Sequence, residues 1–329
     1  QRRFLCMIFT CKKERTEIIM KFTKLTVSIL TLLMLLALLA GCGAQPSASQ
    51  SAAPSASQPA ELKITDFLGR EITLSAVPEK IVSLTPSNTE LLYALGLGGK
   101  VVGVDASSNY PEEAAGKTVV GDYSGVNVEA VVALAPDVVF ASTALQADTI
   151  TALENAGIKV VASEAGTYAQ LKESVSMIGT MGGAEQAAAD ALLSSIEAKE
   201  AQLKALAGET PVSAYYIVSY GEYGDWSVGP GSFIFDVLTM GGVELITKDM
   251  AFAFPQYSLE QLTAADPEWI INGAYGASLE ELRAAQGYGE LTAIKEGRFI
   301  SADVDKMNRP TERLLDEAIS VVSQIKAAQ

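Results

Sequence analysis

The chain has 329 residues, 49% hydrophobic and 19% charged, enough for two cores, and a formal net charge of −15 that argues against a nucleic-acid partner, whose phosphates demand a basic face. Histidine is absent and the three cysteines, Cys6, Cys11 and Cys42, all lie in the first 42 residues. His-based triads, His-ligated zinc and haem, and any disulfide or thiolate metal site are thereby removed from the rest of the chain.

The acidity is unevenly placed. Residues 1–42 hold seven Lys/Arg and two Asp/Glu, whereas 43–329 hold 17 and 37, a net of −20. Lys21 and Lys24 precede an apolar run from Leu25 to Ala40, which ends in Leu39-Ala40-Gly41-Cys42. A basic start, an apolar stretch and small residues before a cut make a secretory signal over 20–41. The run, about 16 residues, falls short of the ~20 that a membrane span requires. Cys42 directly after Leu-Ala-Gly resembles the bacterial lipobox, which implies acylation of Cys42 and an extracytoplasmic location on a membrane anchor. Residues 1–19 fit no part of this pattern, and with Met20 as a start they read as upstream or mis-started sequence. From Cys42 to Ala60 the chain is nearly all Ser, Ala, Gln, Pro and Gly, which cannot offset the entropy of ordering and reads as a tether.

From residue 61 short β-branched runs alternate with helical stretches, the pattern of α/β domains with mainly parallel sheets. Strands are expected at Lys80–Leu84, Val101–Val104, Asp137–Ala141 and Lys159–Ala162, then at Ala214–Ser219, Trp269–Asn272 and Arg298–Ser301. Between the two sets, Glu185 to Leu206 has no Gly or Pro, with Ala188, Leu192, Ile196 and Leu203 at helical spacing. The predicted architecture is two Rossmann-like α/β lobes, 61–183 and 209–329, joined by one long α-helix over 184–208. The halves echo each other. Asn127-Val-Glu129 and Ser258-Leu-Glu260 each open a helix, and in each the Glu precedes a strand-opening Pro (Pro136, Pro267) by seven residues. Thr89–Gly96 and Ser232–Gly241 form a second matched pair of helices.

In open α/β sheets ligands sit at the carboxyl ends of the strands, so the inter-lobe cleft is the expected site. On the first lobe its loops are Thr85–Asn88, Ser107–Pro111, Gly121–Gly125 and Ser142–Gln146, which include Tyr110 and Tyr123 but no Lys or Arg. On the second lobe the loops crowd aromatics: Tyr220, Tyr223, Trp226, Phe252, Phe254, Tyr257 and Tyr275. About half are expected to fold under as core. The others would present flat walls with polar tips to a large ring-rich ligand.

Ile81-Val-Ser-Leu-Thr-Pro-Ser-Asn-Thr-Glu90, Asn109-Tyr-Pro111, Gly121-Asp-Tyr-Ser-Gly-Val-Asn-Val-Glu129, Ala135-Pro-Asp137 and Asn308-Arg-Pro310 together resemble the helix-hinged solute-binding proteins of ABC importers for cobalamin, haem and iron–siderophores. The resemblance implies a non-enzymatic monomer that hands its ligand to a permease dimer with its ATPase. It implies permease docking through Glu129 and Glu260. As residues alone, both would also suit the positive first turn of a capped helix. Cobalamin-binding members place aromatics where Tyr123 and Tyr220 fall, a small residue at Ser87 and an acid at Asp303. With Asn88, Tyr110, Trp226, Phe254 and Arg309 these form the expected ligand-binding set, and no catalytic or metal-ligating residue is expected. A corrinoid suits a first lobe without cations better than anionic haem or a ferric catecholate, which usually meet Arg or Lys. On the second lobe Lys306, Arg309 and Arg313 are placed to help such anions. Departures from the cobalamin pattern are Tyr123 where Trp is common, Ser107 where an aromatic is expected, and the Asp303–Arg309 spacing. Haem held by a Tyr, or an iron–siderophore, therefore stays open as the alternative ligand. A two-lobed enzyme such as a glycosyltransferase would share the cleft, but no convincing nucleotide motif accompanies it. A surface module binding a host protein is the remaining reading. Gly96-Leu-Gly-Gly-Lys100 lacks phosphate-loop spacing and reads as a helix cap and turn, and Ser232 after Gly229-Pro-Gly as an N-cap.

Overall fold

The computed structural model describes residues 61–329 except Tyr123 and 144–146. The signal, Cys42 and the tether therefore lie outside the described residues, as does Tyr123. A short antiparallel hairpin, β1 (Leu62–Thr65) with β2 (Glu71–Leu74), leads into the first lobe. That lobe contains β3 (Ile81–Ser83), α1 (Pro86–Ala94), β4 (Val101–Val104) and β5 (Thr118–Val119). The hairpin of β6 (Gly121–Asp122) and β7 (Gly125–Val126) follows, then α2 (Val128–Leu134), β8 (Val138–Ala141), α3 (Ala147–Asn155), β9 (Val160–Ala162) and α4 (Tyr168–Gly182). Its sheet is parallel, in the order β5-β4-β3-β8-β9. Val138–Ala141 is buried along its whole length, as a strand covered on both faces must be.

The connecting helix is α5 (Gln186–Leu206). Its buried stripe is Ala189, Leu192, Ile196 and Leu203. Ala189 takes the place expected of Ala188, because 189, 196 and 203 recur at seven-residue spacing, two helical turns along one face, and 188 falls out of that row. The second lobe holds β10 (Val212–Ile217), α6 (Phe233–Met240), β11 (Val243–Leu245), α7 (Leu259–Ala265) and β12 (Trp269–Asn272). Next come α8 (Leu279–Ala284), α9 (Thr292–Glu296), β13 (Phe299–Ser301), α10 (Val304–Met307) and α11 (Glu312–Ala327). Its sheet is also parallel, ordered β11-β10-β12-β13. One apolar cluster runs from Ile81, Phe140 and Val161 through Leu192 and Ile196 of α5 to Tyr216, Ile271 and Leu314. Each lobe adds a smaller cluster on the opposite face of its sheet, around Val139 and Leu153 in the first and Tyr215 and Ile270 in the second. The lobes thus share a packed core along the connecting helix, which restricts how far they can part there.

The helix expected at Thr89–Gly96 starts earlier. Thr85 is its N-cap, accepting from the Asn88 amide at 3.3 Å, and Pro86 occupies the first helical position, where a missing N–H costs nothing. Thr89 lies inside the helix and donates to Ser83 Oγ at 2.8 Å. The other caps fall where expected: Asn127, Ser232 and Ser258 each accept an amide from the residue three further on.

The echo between halves extends to backbone strain. Helices α2 and α7 are each seven residues long, and each ends on a left-handed non-glycine residue directly before a proline. These are Ala135 at φ 47° and Asp266 at φ 38°, the two positive-φ non-glycine residues among those described. Such a conformation is disfavoured by Cβ–carbonyl crowding, so its recurrence at matched places is a strong sign of a repeated unit.

Candidate functional site

The strand ends of the first lobe form a recess of about 200 Å³ whose lining includes Thr85, Ser107, Asp105, Asp122 and Glu164. Among its described lining residues there is no Lys or Arg. Ser87 is buried beside it, its hydroxyl bonded to a Glu164 carboxylate oxygen and 3.2 Å from Thr85 Oγ1. Burial, joined by repulsion from Asp122 and Glu164, holds the Asp105 carboxyl above its ordinary value despite the Ser107 amide and the Arg309 charge. The wall is therefore acidic as well as free of cations, a feature the sequence reading of these loops overlooked. Its signal was available as Asp105, Asp122 and Glu164, each just beyond a strand or at the end of one.

Asn88 is fully buried rather than presented to the recess. Its Oδ1 accepts from Ser163 Oγ at 3.1 Å, while its Nδ2 has no partner among the described residues.

The second lobe answers with rings. The segment 252–256 runs beside 226–229 through Ser227 N–H to Pro255 O at 3.0 Å and Gly229 N–H to Ala253 O at 2.9 Å. Trp226 and Phe254 are exposed there, with Phe252 at 71%. Tyr275, in the loop after β12, is 77% exposed and its hydroxyl donates to Asp305 at 2.6 Å. Tyr257 folds under against Tyr215, and Tyr220 packs edge-on to Tyr288 at 5.6 Å. Asp303 caps α10 and pairs with Lys306 at 3.1 Å.

Arg309 and Arg313 face another residue entirely. Both contact the buried carboxylate of Glu90 on α1, at 2.9 and 2.7 Å, and Thr311 donates to its second oxygen at 3.0 Å. The Arg313 guanidinium also stacks on the Tyr110 ring at 3.7 Å. These contacts bridge the lobes. A larger cavity, about 730 Å³, adjoins this cluster and is lined by α1, Tyr110–Pro111 and the start of α11, with none of the recess carboxylates.

Glu129 and Glu260 occupy the same second position of α2 and α7, are exposed, and form no ion pair among the described residues. Capping is done by Asn127 and Ser258, so neither Glu is needed as a cap.

Two α/β lobes facing each other across strand ends, joined by one helix, define a two-lobed binding protein. Residues 81–305 match the periplasmic binding protein family model. The uncharacterized ABC transporter substrate-binding lipoprotein YvrC of Bacillus subtilis is 33% identical over 293 residues, 87% of this chain and 92% of that one. The vitamin B12-binding protein of Vibrio parahaemolyticus is 28% identical over 78% of this chain and 94% of its own. The crystal structure of the periplasmic heme binding protein HutB of Vibrio cholerae superposes with a TM-score of 0.67, covering 75% of this chain and 98% of that one at 20% identity, a likeness of fold. The chain belongs to the periplasmic binding protein family. It is an extracytoplasmic solute-binding component of ABC transport and not an enzyme.

Proposed function

We propose that this protein is a lipid-anchored receptor that captures a corrinoid between its lobes and delivers it to an ABC permease with its ATPase. The observation that carries the ligand reading is the contrast of cleft walls. A carboxylate-bearing, cation-free recess repels anions such as haem propionates or ferric catecholates. Exposed rings on the loops of the second lobe favour a large, ring-rich, uncharged solute with amide donors for the carboxylates. The vitamin B12-binding relative supports the same class. In this reading Ser87, Tyr110, Tyr123, Tyr220, Trp226, Phe254 and Asp303 shape the ligand site, and Asn88 supports Ser163 from within.

Residues 20–41 act as a signal, Cys42 carries the lipid and 42–60 is the tether. The lobes span 61–183 and 209–329 about the helix of 184–208, and the receptor acts as a monomer. Glu129 and Glu260, without an ion pair among the described residues and on matched helices, dock on basic permease residues. Two separated charges set orientation and encounter rate more than tightness, which suits repeated docking and release.

The test is a titration of intrinsic fluorescence with cobalamin, haem and a panel of ferric siderophores, with inner-filter controls. Saturable one-to-one binding of cobalamin is expected. Binding of haem or a siderophore without cobalamin overturns the ligand while leaving the transport role. Incorporation of labelled palmitate in a lipoprotein-processing host, lost in Cys42→Ala, tests the anchor.

A further inference from the structure

The cluster around Glu90 lies where the lobes meet, and its partners are not arranged as ligand contacts. Arg309 is 8% exposed at its side chain and Glu90 3%. Besides Glu90, the Arg309 guanidinium donates to Asn109 Oδ1 at 2.8 Å and to the Ser107 carbonyl at 3.2 Å, and pairs with Asp305 at 2.9 Å. Asn109 returns a bond, Nδ2 to Asp305 Oδ2 at 3.0 Å. Burial works against the charged form of Asp305, but the bonds from Tyr275 and Asn109 and the two arginines outweigh it and hold its carboxyl below the usual value.

The 105–111 loop of the first lobe is therefore tied to the second lobe at three neighbouring residues: Ser107 and Asn109 through Arg309, and Tyr110 through Arg313. Ser107 lines the acidic recess, and Tyr275, held through Asp305, stands on the aromatic wall. We propose that Glu90, Arg309 and Asn109 are positioning residues: a latch across the lobes that sets the register of the two cleft walls before ligand arrives. A buried ion pair adds little stability over a well-packed apolar one. What directional bonds add is one geometry, and a preformed site spares the ligand the cost of ordering loops. This assigns Arg309 to the cleft's framework instead of to the ligand, and its consequence for binding rests on the corrinoid reading above.

The test uses the whole protein and two variants. Arg309→Met removes the central guanidinium while Glu90 keeps Arg313 and Thr311, and Asn109→Ala removes an exposed side chain without stranding a charge. Hydrogen exchange is read first and needs no ligand. Amides in 105–111 and 303–309 should exchange about tenfold faster in both variants, with β3, β8 and β12 unchanged and Arg309→Lys partly restoring protection. Cobalamin dissociation should quicken by about tenfold while its association rate stays within about twofold. Unchanged exchange in both loops, or a uniform rise across both sheets, overturns the latch. If the unaltered protein does not bind cobalamin, the ligand reading fails and exchange alone judges the latch.

Discussion

The two lobes are built on one plan and finished differently. Each is a parallel sheet with a seven-residue helix whose exposed Glu sits at the second position and whose last turn closes on a left-handed residue before proline. At their facing strand ends one lobe presents Asp105, Asp122 and Glu164, and the other Trp226, Phe252, Phe254 and Tyr275. Scaffold positions answer to backbone geometry, which repeats whenever the unit repeats. Loop positions answer to what they meet across the cleft, and the two sides of one ligand need not be alike.

The largest effect is expected where the lobes are most alike. Reversing both docking charges, Glu129→Arg with Glu260→Arg, should cut ligand-dependent ATPase stimulation of the reconstituted transporter by about a hundredfold, with cobalamin affinity within about twofold of the parent. If either single reversal does as much as both, the two-point symmetry is broken. Next come the unlike walls: Trp226→Ala and Phe254→Ala should each weaken cobalamin binding by about tenfold by titration, the loss of a buried aromatic anchor.

The matched caps give a smaller, opposed pair. Ala135→Gly relieves Cβ crowding and should raise stability to denaturant by about 0.5 kcal/mol. Asp266→Gly relieves the same crowding but discards a carboxylate that accepts from the Thr292 amide at 2.8 Å and its hydroxyl at 2.6 Å, so it should lower stability by about 1 kcal/mol. Equal effects at both would mean that the Thr292 bonds contribute nothing.

The smallest concerns Asp105. Its carboxyl titrates above the ordinary value in the fold, so the native state holds the proton longer than the unfolded chain. Stability attributable to this group falls as pH rises through that interval, and the penalty stands in full above it. Asp105→Asn should therefore gain stability at pH 7 relative to the parent, with the gain vanishing in acid below the ordinary carboxylate range. A gain of the same size at both ends would remove the burial of the ionised carboxylate, with the repulsion from Asp122 and Glu164, as the cause.

Much of the scaffold is legible in the sequence. Val101–Val104 and Trp269–Asn272 are strands over their whole expected length, and α5 begins within one residue of its expected start. Long apolar runs and an uninterrupted helical stretch carry strong periodic signals. The two- and three-residue strands β5 and β11, and the β6–β7 hairpin of two-residue strands, went unpredicted because so few residues show no period at all.

The candidate site was legible in part. Aromatic crowding in the second-lobe loops could be counted, and Tyr275 and Phe252 do stand exposed while Tyr257 turns inward. No local pattern distinguishes those fates, since each depends on what the rest of the lobe packs against the ring. Arg309 and Asn88 show the same limit more sharply. A cation in a loop near strand ends reads as a ligand contact, and only the fold brings Glu90, 219 positions away in the chain, to its guanidinium.

By itself, then, the sequence determined the lobes, the connecting helix, the helix caps and the matched positions of Glu129 and Glu260, because periodicity, capping and proline act over a few neighbouring residues. The tertiary structure alone decided that Arg309 and Arg313 bridge the lobes, that Asn88 is buried, and that the recess carboxylates converge. Each of those depends on distant segments meeting in a desolvated place, where partner and burial set the energy of a charge.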